Sequence, residues 1–296
     1  MKLEQTEAWE PGPTDMSATT QSPVVTTALR EAEAKTDSRQ EGLFQYKDLL
    51  LMLIWRDIKI RYKQSIMGFF WAVLMPVLII GSGMIVMVVF STISGHPINK
   101  TDVLGVAAKA VPWAFFVAAI RFGTNSLVGN KELVTKIYFP RAIMPIAAVL
   151  ASFFDFAVAE SVLALVLILS RVGVSLQIFW LPVLLVVLML FTAGLALLLA
   201  CANLFFRDVK YLVEVVLTYG IFFTPVFYSA AKLGKWGWIL MLNPLGPVLE
   251  SIGRVMVLQQ PPSLSWLAYS AAWSVLTFLL AWRIFQKSEA AFAEAI

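Results

Sequence analysis

Three ionisable residues stand deep inside hydrophobic runs. Arg121, Asp155 and Glu160 are each flanked by long apolar stretches. Charged groups in such places are costly and point to function by default. They could relay protons, as in a secondary transporter, or form a structural pair, or line a wet cavity near a helix end. Other chemistry has little to work with. No G-x-x-x-x-G-K-[ST] motif is present, so the chain cannot cradle ATP phosphates itself. His96 is the one histidine, which excludes a histidine-based dyad and leaves a metal site short of ligands. Cys201 is the one cysteine. No disulfide can form within the chain, and Cys201 reads as a small packing residue.

Two further charged groups lie outside those runs. Arg56, Lys59, Arg61 and Lys63 fall within "LFQYKDLLLMLIWRDIKIRYK", residues 43–63. Leu51, Ile54, Ile58 and Tyr62 recur there at helical spacing, Arg56, Lys59 and Lys63 share another face, and Asp57 and Arg61 form an i,i+4 pair. The segment predicts an amphipathic helix on a membrane surface. Its basic face can hold anionic head groups or receive a phosphate on a substrate arriving from the inner leaflet. The second group is "GNKELVTKIYFPRAIMP", residues 129–145. Pro140 and Pro145 bound a short amphipathic piece, because residues before proline disfavour helix. Leu133, Ile137 and Tyr138 can seat it on a partner while Lys131, Glu132, Lys136 and Arg141 stay wet. It reads either as a docking knob for a cytoplasmic protein or as an ordinary basic loop.

The elements that must position these residues follow from composition. Of 296 residues, 59% are hydrophobic and 14% charged, against about 25% charged in a soluble domain. Mean hydropathy is +0.78. A soluble fold cannot bury so much apolar side chain, and the net charge of +4 gives no reason to invoke nucleic acid. Several runs reach the roughly 20 residues that cross a bilayer. Within lipid such runs must be helices, and the alternation of a membrane barrel is absent. The fold class expected is an all-α integral membrane protein with six transmembrane helices, near Ile66–Phe90, Val103–Val128, Ile143–Leu169, Ile178–Leu204, Tyr211–Tyr228 and Leu264–Phe285. Residues 1–42 are polar and proline-containing and read as a disordered tail, not a signal peptide. Residues 229–262 include Asn243-Pro244, Gly246-Pro247, Glu250 and Arg254. Irregular backbone at membrane depth must be enclosed by protein or water, so this stretch predicts an external re-entrant helical hairpin before the last span. Residues 286–296 form a short cytoplasmic C-terminus.

Basic residues test the topology. With six spans and the N-terminus inside, Lys47, Arg56, Lys59, Arg61, Lys63, Lys131, Lys136, Arg141, Arg207, Lys210, Arg283 and Lys287 fall inside. They outnumber Lys100, Lys109, Arg171, Lys232, Lys235 and Arg254 outside, in the sense required of cytoplasmic loops. Both termini are then cytoplasmic, and so is 129–145. Aromatic side chains cluster late in the chain: Tyr219, Phe222, Phe223, Phe227 and Tyr228, then Trp236 and Trp238, with Trp113, Phe115 and Phe116 in the second span. Aromatic faces with polar edges suit a path along which sugars slide. The competing reading is an interfacial belt or contact with lipid or a second copy.

"LLLMLIWRDIKIRYKQSIMGFFWAVLMPVLII" resembles the opening of permease subunits of ABC transporters that export polysaccharides, the O-antigen, capsule and teichoic-acid exporters. The match is carried by Arg56, Asp57, Lys59, Arg61, Tyr62, Lys63, Gly68, Trp71 and Pro76. "NSLVGNKELVTKIYFPRAIMP" is similar to a second family signature through Asn125, Asn130, Leu133, Lys136, Tyr138, Phe139, Pro140, Arg141 and Pro145, and "NLFFRDVKYLVEVVL" and "TPVFYS…LNPL" resemble two more. The resemblance covers about Leu43 to Phe285. It implies a homodimer of six-span permeases, each docking a separate ATP-binding subunit through 129–145, with Glu132, Leu133, Lys136, Ile137, Tyr138, Phe139, Pro140 and Arg141 as coupling residues. The chain is then not an enzyme and binds no cofactor, ATP and Mg belonging to the partner. The cargo implied is a glycan on a polyprenyl pyrophosphate, crossing the inner membrane. Drug or lipid ABC exporters share the architecture without this motif combination. A proton-coupled transporter would be expected to show more spans or an internal repeat, and a membrane transferase would need convergent carboxylates near a loop.

Overall fold

The computed structural model describes residues 46–63, 70–94, 98–136, 139–173 and 175–292. By its contacts the chain divides into Met1–Tyr46 and Lys47–Ile296, and every element below belongs to the second unit. The tail expected over residues 1–42, and His96, lie outside the described residues.

Lys47–Lys63 (α1) is a helix whose termini suit its dipole, with Asp48 in the first turn and Arg61 and Lys63 in the last. Its buried residue is Leu53. Of the expected stripe, Ile54, Ile58 and Tyr62 are half-buried beside it, whereas Leu51 faces out, as do Met52, Trp55 and Ile60. Asp57 and Arg61 are half-buried as well. Phe70–Ser94 (α2) and Lys100–Asn125 (α3) follow. α3 forms the centre of the fold, and its window of highest hydropathy is 72% buried. Trp113, Phe115 and Phe116 belong to this core, at 3–8% exposure.

A 3-10 turn at Val128–Asn130 leads into the short helix Lys131–Lys136 (α4), and Ile143–Leu169 (α5) begins soon after. Pro145 does not bracket the loop. It sits in the first turn of α5, where a missing N–H loses no helical bond. Leu181–Phe205 (α6) has proline in its first turn. It packs closely on Leu264–Ser288 (α10). Gly194 makes this possible, since a Cβ there would lie 2.9 Å from the Phe278 backbone. Small residues let membrane helices approach in this way.

Among the described residues, four helical stretches are long and apolar enough to cross a membrane: α3, α5, Leu176–Phe205 including α6, and α10. α2 adds the shorter apolar stretch Val77–Val89. The fifth expected span differs. Val209–Gly220 (α7) has 12 residues, about 18 Å at the helical rise, against a hydrocarbon core of roughly 30 Å. A 3-10 turn at Ile221–Phe223 ends in an extended Thr224. Pro225 accounts for the break, because it disfavours helical backbone at the residue before it. Beyond it, Gly237–Met241 (α8) and Leu245–Gly253 (α9) are joined by a tight turn, and α9 is buried along most of its length.

Candidate functional site

Asp155 of α5 is where the surface helix meets the core. Arg61 Nη1 donates to Asp155 Oδ2 at 2.6 Å, Arg61 Nη2 donates to Ser152 Oγ at 3.2 Å, and the Tyr62 hydroxyl donates to Asp155 Oδ1. The Arg61 guanidinium also lies 3.8 Å over the Phe122 ring. Burial first, and the carboxylate second, push the Tyr62 phenol above its ordinary range. The expected Asp57–Arg61 pair does not form. Asp57 binds Arg56 instead, at 2.8 Å. A fixed carboxylate on α5, with a second hydrogen bond beside it, holds the planar guanidinium better than a mobile neighbour one helical turn away. Of the four basic residues, Lys59 and Lys63 are exposed, whereas Arg56 and Arg61 are partly buried and engaged. Beneath α1 lies a cavity of about 380 Å³ lined by Arg61, Tyr62, Trp71, Arg121, Phe122 and Asp155, among others.

Arg121 shares this cavity with Asp155 without bonding to it, and Glu160 is not among the cavity's lining residues. Arg121 grips Glu214 of α7 through two bonds of 2.6 Å. Both side chains are more than 40% exposed, so the fork orients α3 against α7 more than it stabilises them. Among the described residues Glu160 Oε2 is buried without a hydrogen-bond partner, while Asp155 is held by Arg61 and Tyr62.

Lys109 is not a residue of an outer loop. It sits in α3 at 4% exposure, donates to the Tyr228 carbonyl at 2.9 Å and pairs with Glu250 at 3.5 Å. Ser229 donates to the other Glu250 oxygen. This cluster ties α3 to the 224–229 segment and to α9 beside a cavity of about 500 Å³. It went unread in the sequence because its four members come from three segments that no short-range pattern connects.

The aromatic group divides. Tyr219, Phe222 and Phe223 are exposed, Phe223 at 71%, and so are Trp236 and Trp238. Phe227 is 3% exposed, pressed on Gly83 of α2 so closely that a Cβ there would lie 2.8 Å from its ring. Tyr228 is half-buried, and its hydroxyl donates to the Phe222 carbonyl at 2.6 Å. Phe227 and Tyr228 line the cavity of about 500 Å³ and touch the exposed stripe at Phe222, whose ring lies 6.0 Å from that of Phe227.

The charged loop divides too. Ile137 and Tyr138 lie outside the described residues, as does the Lys136 side chain. Glu132 is exposed and Leu133 half-buried. Val134, which sequence reasoning passed over, is 1% exposed, and Phe139 is 7% exposed. Those two anchor the loop to the protein's own core. Pro140 is half-buried. Arg141 is not merely wet: its N–H donates to Glu289 Oε1 and its Nη1 to the Glu289 carbonyl, each at 2.9 Å. Among the described residues no group of three or more His, Cys, Asp or Glu could hold a metal ion. Cys201 is buried and unbridged.

The profile of the ABC-2 type transporter family matches residues 48–256, from the first turn of α1 to the turn after α9. The chain belongs to the ABC-2 type transporter family. Over 260 residues it is 28% identical to the O-antigen export system permease protein RfbA of Myxococcus xanthus, covering 86% of this chain and 97% of that one. Over 206 residues it is 28% identical to the O-antigen export system permease protein RfbA of Klebsiella pneumoniae, covering 69% and 78%. As an ABC-2 permease it is a multi-pass membrane transport component. The Arg61–Asp155 clamp, the Arg121–Glu214 fork and the Lys109–Glu250 pair all lie inside the matched span.

Proposed function

We propose that this chain is the permease subunit of an ATP-driven exporter that carries O-antigen, as a polyprenyl-pyrophosphate-linked polysaccharide, across the inner membrane. The observation that carries this reading is the similarity to an O-antigen export permease over 97% of that protein's length. The chain is a homodimer in this reading and crosses the membrane six times with both termini in the cytoplasm, α7 and the buried 224–227 segment after it together making the fifth crossing. It docks one ATP-binding subunit per copy through the part of 129–145 that precedes α5. The missing phosphate-binding motif and the preponderance of basic residues on that side support it. α1 lies in the inner leaflet, where Lys59 and Lys63 attract the pyrophosphate. The exposed stripe of Tyr219, Phe222 and Phe223 lines the path between copies, and the α8–α9 hairpin closes it from outside.

The test is export itself. Cells lacking this chain should lose surface O-antigen while lipid-linked glycan accumulates inside, and the restored chain should reverse both. The purified permease–ATPase complex should hydrolyse ATP faster when its lipid-linked glycan is added. Undiminished surface glycan in the deletion strain would overturn the assignment.

A further inference from the structure

The C-terminal end of α10 does more than terminate the chain. Glu289 opens a 3-10 turn over Glu289–Ala291, and its carboxylate accepts the Arg141 N–H at 2.9 Å. Arg141 donates a second bond, from Nη1 to the Glu289 carbonyl, also at 2.9 Å. Arg141 is therefore held at both its backbone and its side chain by one residue far away in sequence. Phe292 locks the arrangement. It is fully buried, edge-on to Phe285 of α10 at 5.1 Å and 5.9 Å from Phe205 of α6. The Arg141 guanidinium lies 5.9 Å from the same ring.

The place of contact gives it meaning. Arg141 lies between α4 and the first turn of α5, where Ile143 N–H donates to the Pro140 carbonyl and Met144 N–H to the Arg141 carbonyl. α5 has no side-chain cap of its own. Glu289 supplies an acceptor for a backbone N–H beside that helix end. The docking loop, α5, α6 and α10 are thereby joined at one point.

We propose that Glu289 is a positioning residue for energy coupling: with Phe292 it pins the Arg141 end of the docking loop to α10, so that a push on the loop turns the helices. This inference depends on 129–141 being the ATPase dock. Without the pin, motion of the loop still reaches α5 through the chain but is no longer passed to α10. The carboxylate acts here as an acceptor for a backbone N–H, so glutamine can replace it and alanine cannot.

The experiment compares Glu289→Ala, Glu289→Gln and Leu133→Asp in the full-length chain with its ATPase subunit. Three readouts are taken: ATPase co-purification, ATP hydrolysis by the purified complex, and surface glycan per cell. Glu289→Ala is expected to keep the ATPase bound and hydrolysing while surface glycan falls about fivefold, and Glu289→Gln to stay within about twofold of the parent. Leu133→Asp is expected to lose the ATPase. Parental export by Glu289→Ala, with Leu133→Asp still losing its ATPase, overturns the pin alone. So does an equal fall in Glu289→Gln and Glu289→Ala, or loss of the ATPase from Glu289→Ala. An ATPase that stays bound and active with Leu133→Asp overturns the docking reading, and the inference with it.

Discussion

Arg61 of the surface helix reaches Asp155 of α5 at 2.6 Å and, through its second nitrogen, Ser152 at 3.2 Å. With side-chain exposures of 15% and 22%, the pair is largely desolvated. Removing one partner leaves the other charge uncompensated. Asp155→Asn is therefore expected to lower stability by about 2 kcal/mol and loosen α1 from α5. Thermal unfolding of the purified protein measures the first effect, and protease sensitivity near α1 the second. An unchanged midpoint would show the clamp to be incidental.

Lys59 and Lys63 stand apart from Arg61 because they are exposed. Each basic residue near an anionic surface contributes about 1 kcal/mol. Lys59→Glu with Lys63→Glu should weaken stimulation of ATP hydrolysis by lipid-linked glycan by about tenfold or more in half-maximal concentration, with basal hydrolysis retained. Equal loss of basal and stimulated rates would assign these residues to folding alone.

Leu133 and Val134 are neighbours with opposite expected outcomes. Val134 is 1% exposed, so Val134→Asp buries an unpaired charge, costs several kcal/mol and should abolish accumulation of the permease. Leu133→Asp should leave the permease folded and detach the ATPase. Size-exclusion profiles of the two variants, with and without the ATPase, separate the cases.

The aromatic residues can be sorted in the same way. Tyr219→Ala with Phe223→Ala should cut glycan export while assembly and basal hydrolysis persist. Phe227→Ala instead removes a core ring and should cost about 3–5 kcal/mol of stability. Parental export by the Tyr219 and Phe223 double variant would exclude the stripe from the path.

Much of the helical course was legible because bilayer-length apolar runs admit one backbone solution. Partner choice was not. Asp57 and Arg61 have the spacing of a helical pair, yet α5 presents Asp155 to the same guanidinium, and tertiary geometry decides. Lys109 was counted with the outer basic residues, although the expected second span contains it. The carbonyl of Tyr228 and the carboxylate of Glu250, both distant in sequence, help make its burial tolerable. The early end of α7 was written in Thr224-Pro225, but the hydrophobicity of Ile221 to Phe223 masked it. Val134 and Phe139 looked no different from residues that dock a partner, because sequence does not say which apolar face of a short helix turns inward.

The contact at Gly194 has a mechanical consequence. With the α6 and α10 backbones this close, no lipid tail can wedge between them. Their amides in that region should be among the last to exchange with deuterium. The two helices then behave as one stiff rod. A transport cycle has to spend its motion at other seams, such as the extended Thr224 hinge or the contact between α1 and α5.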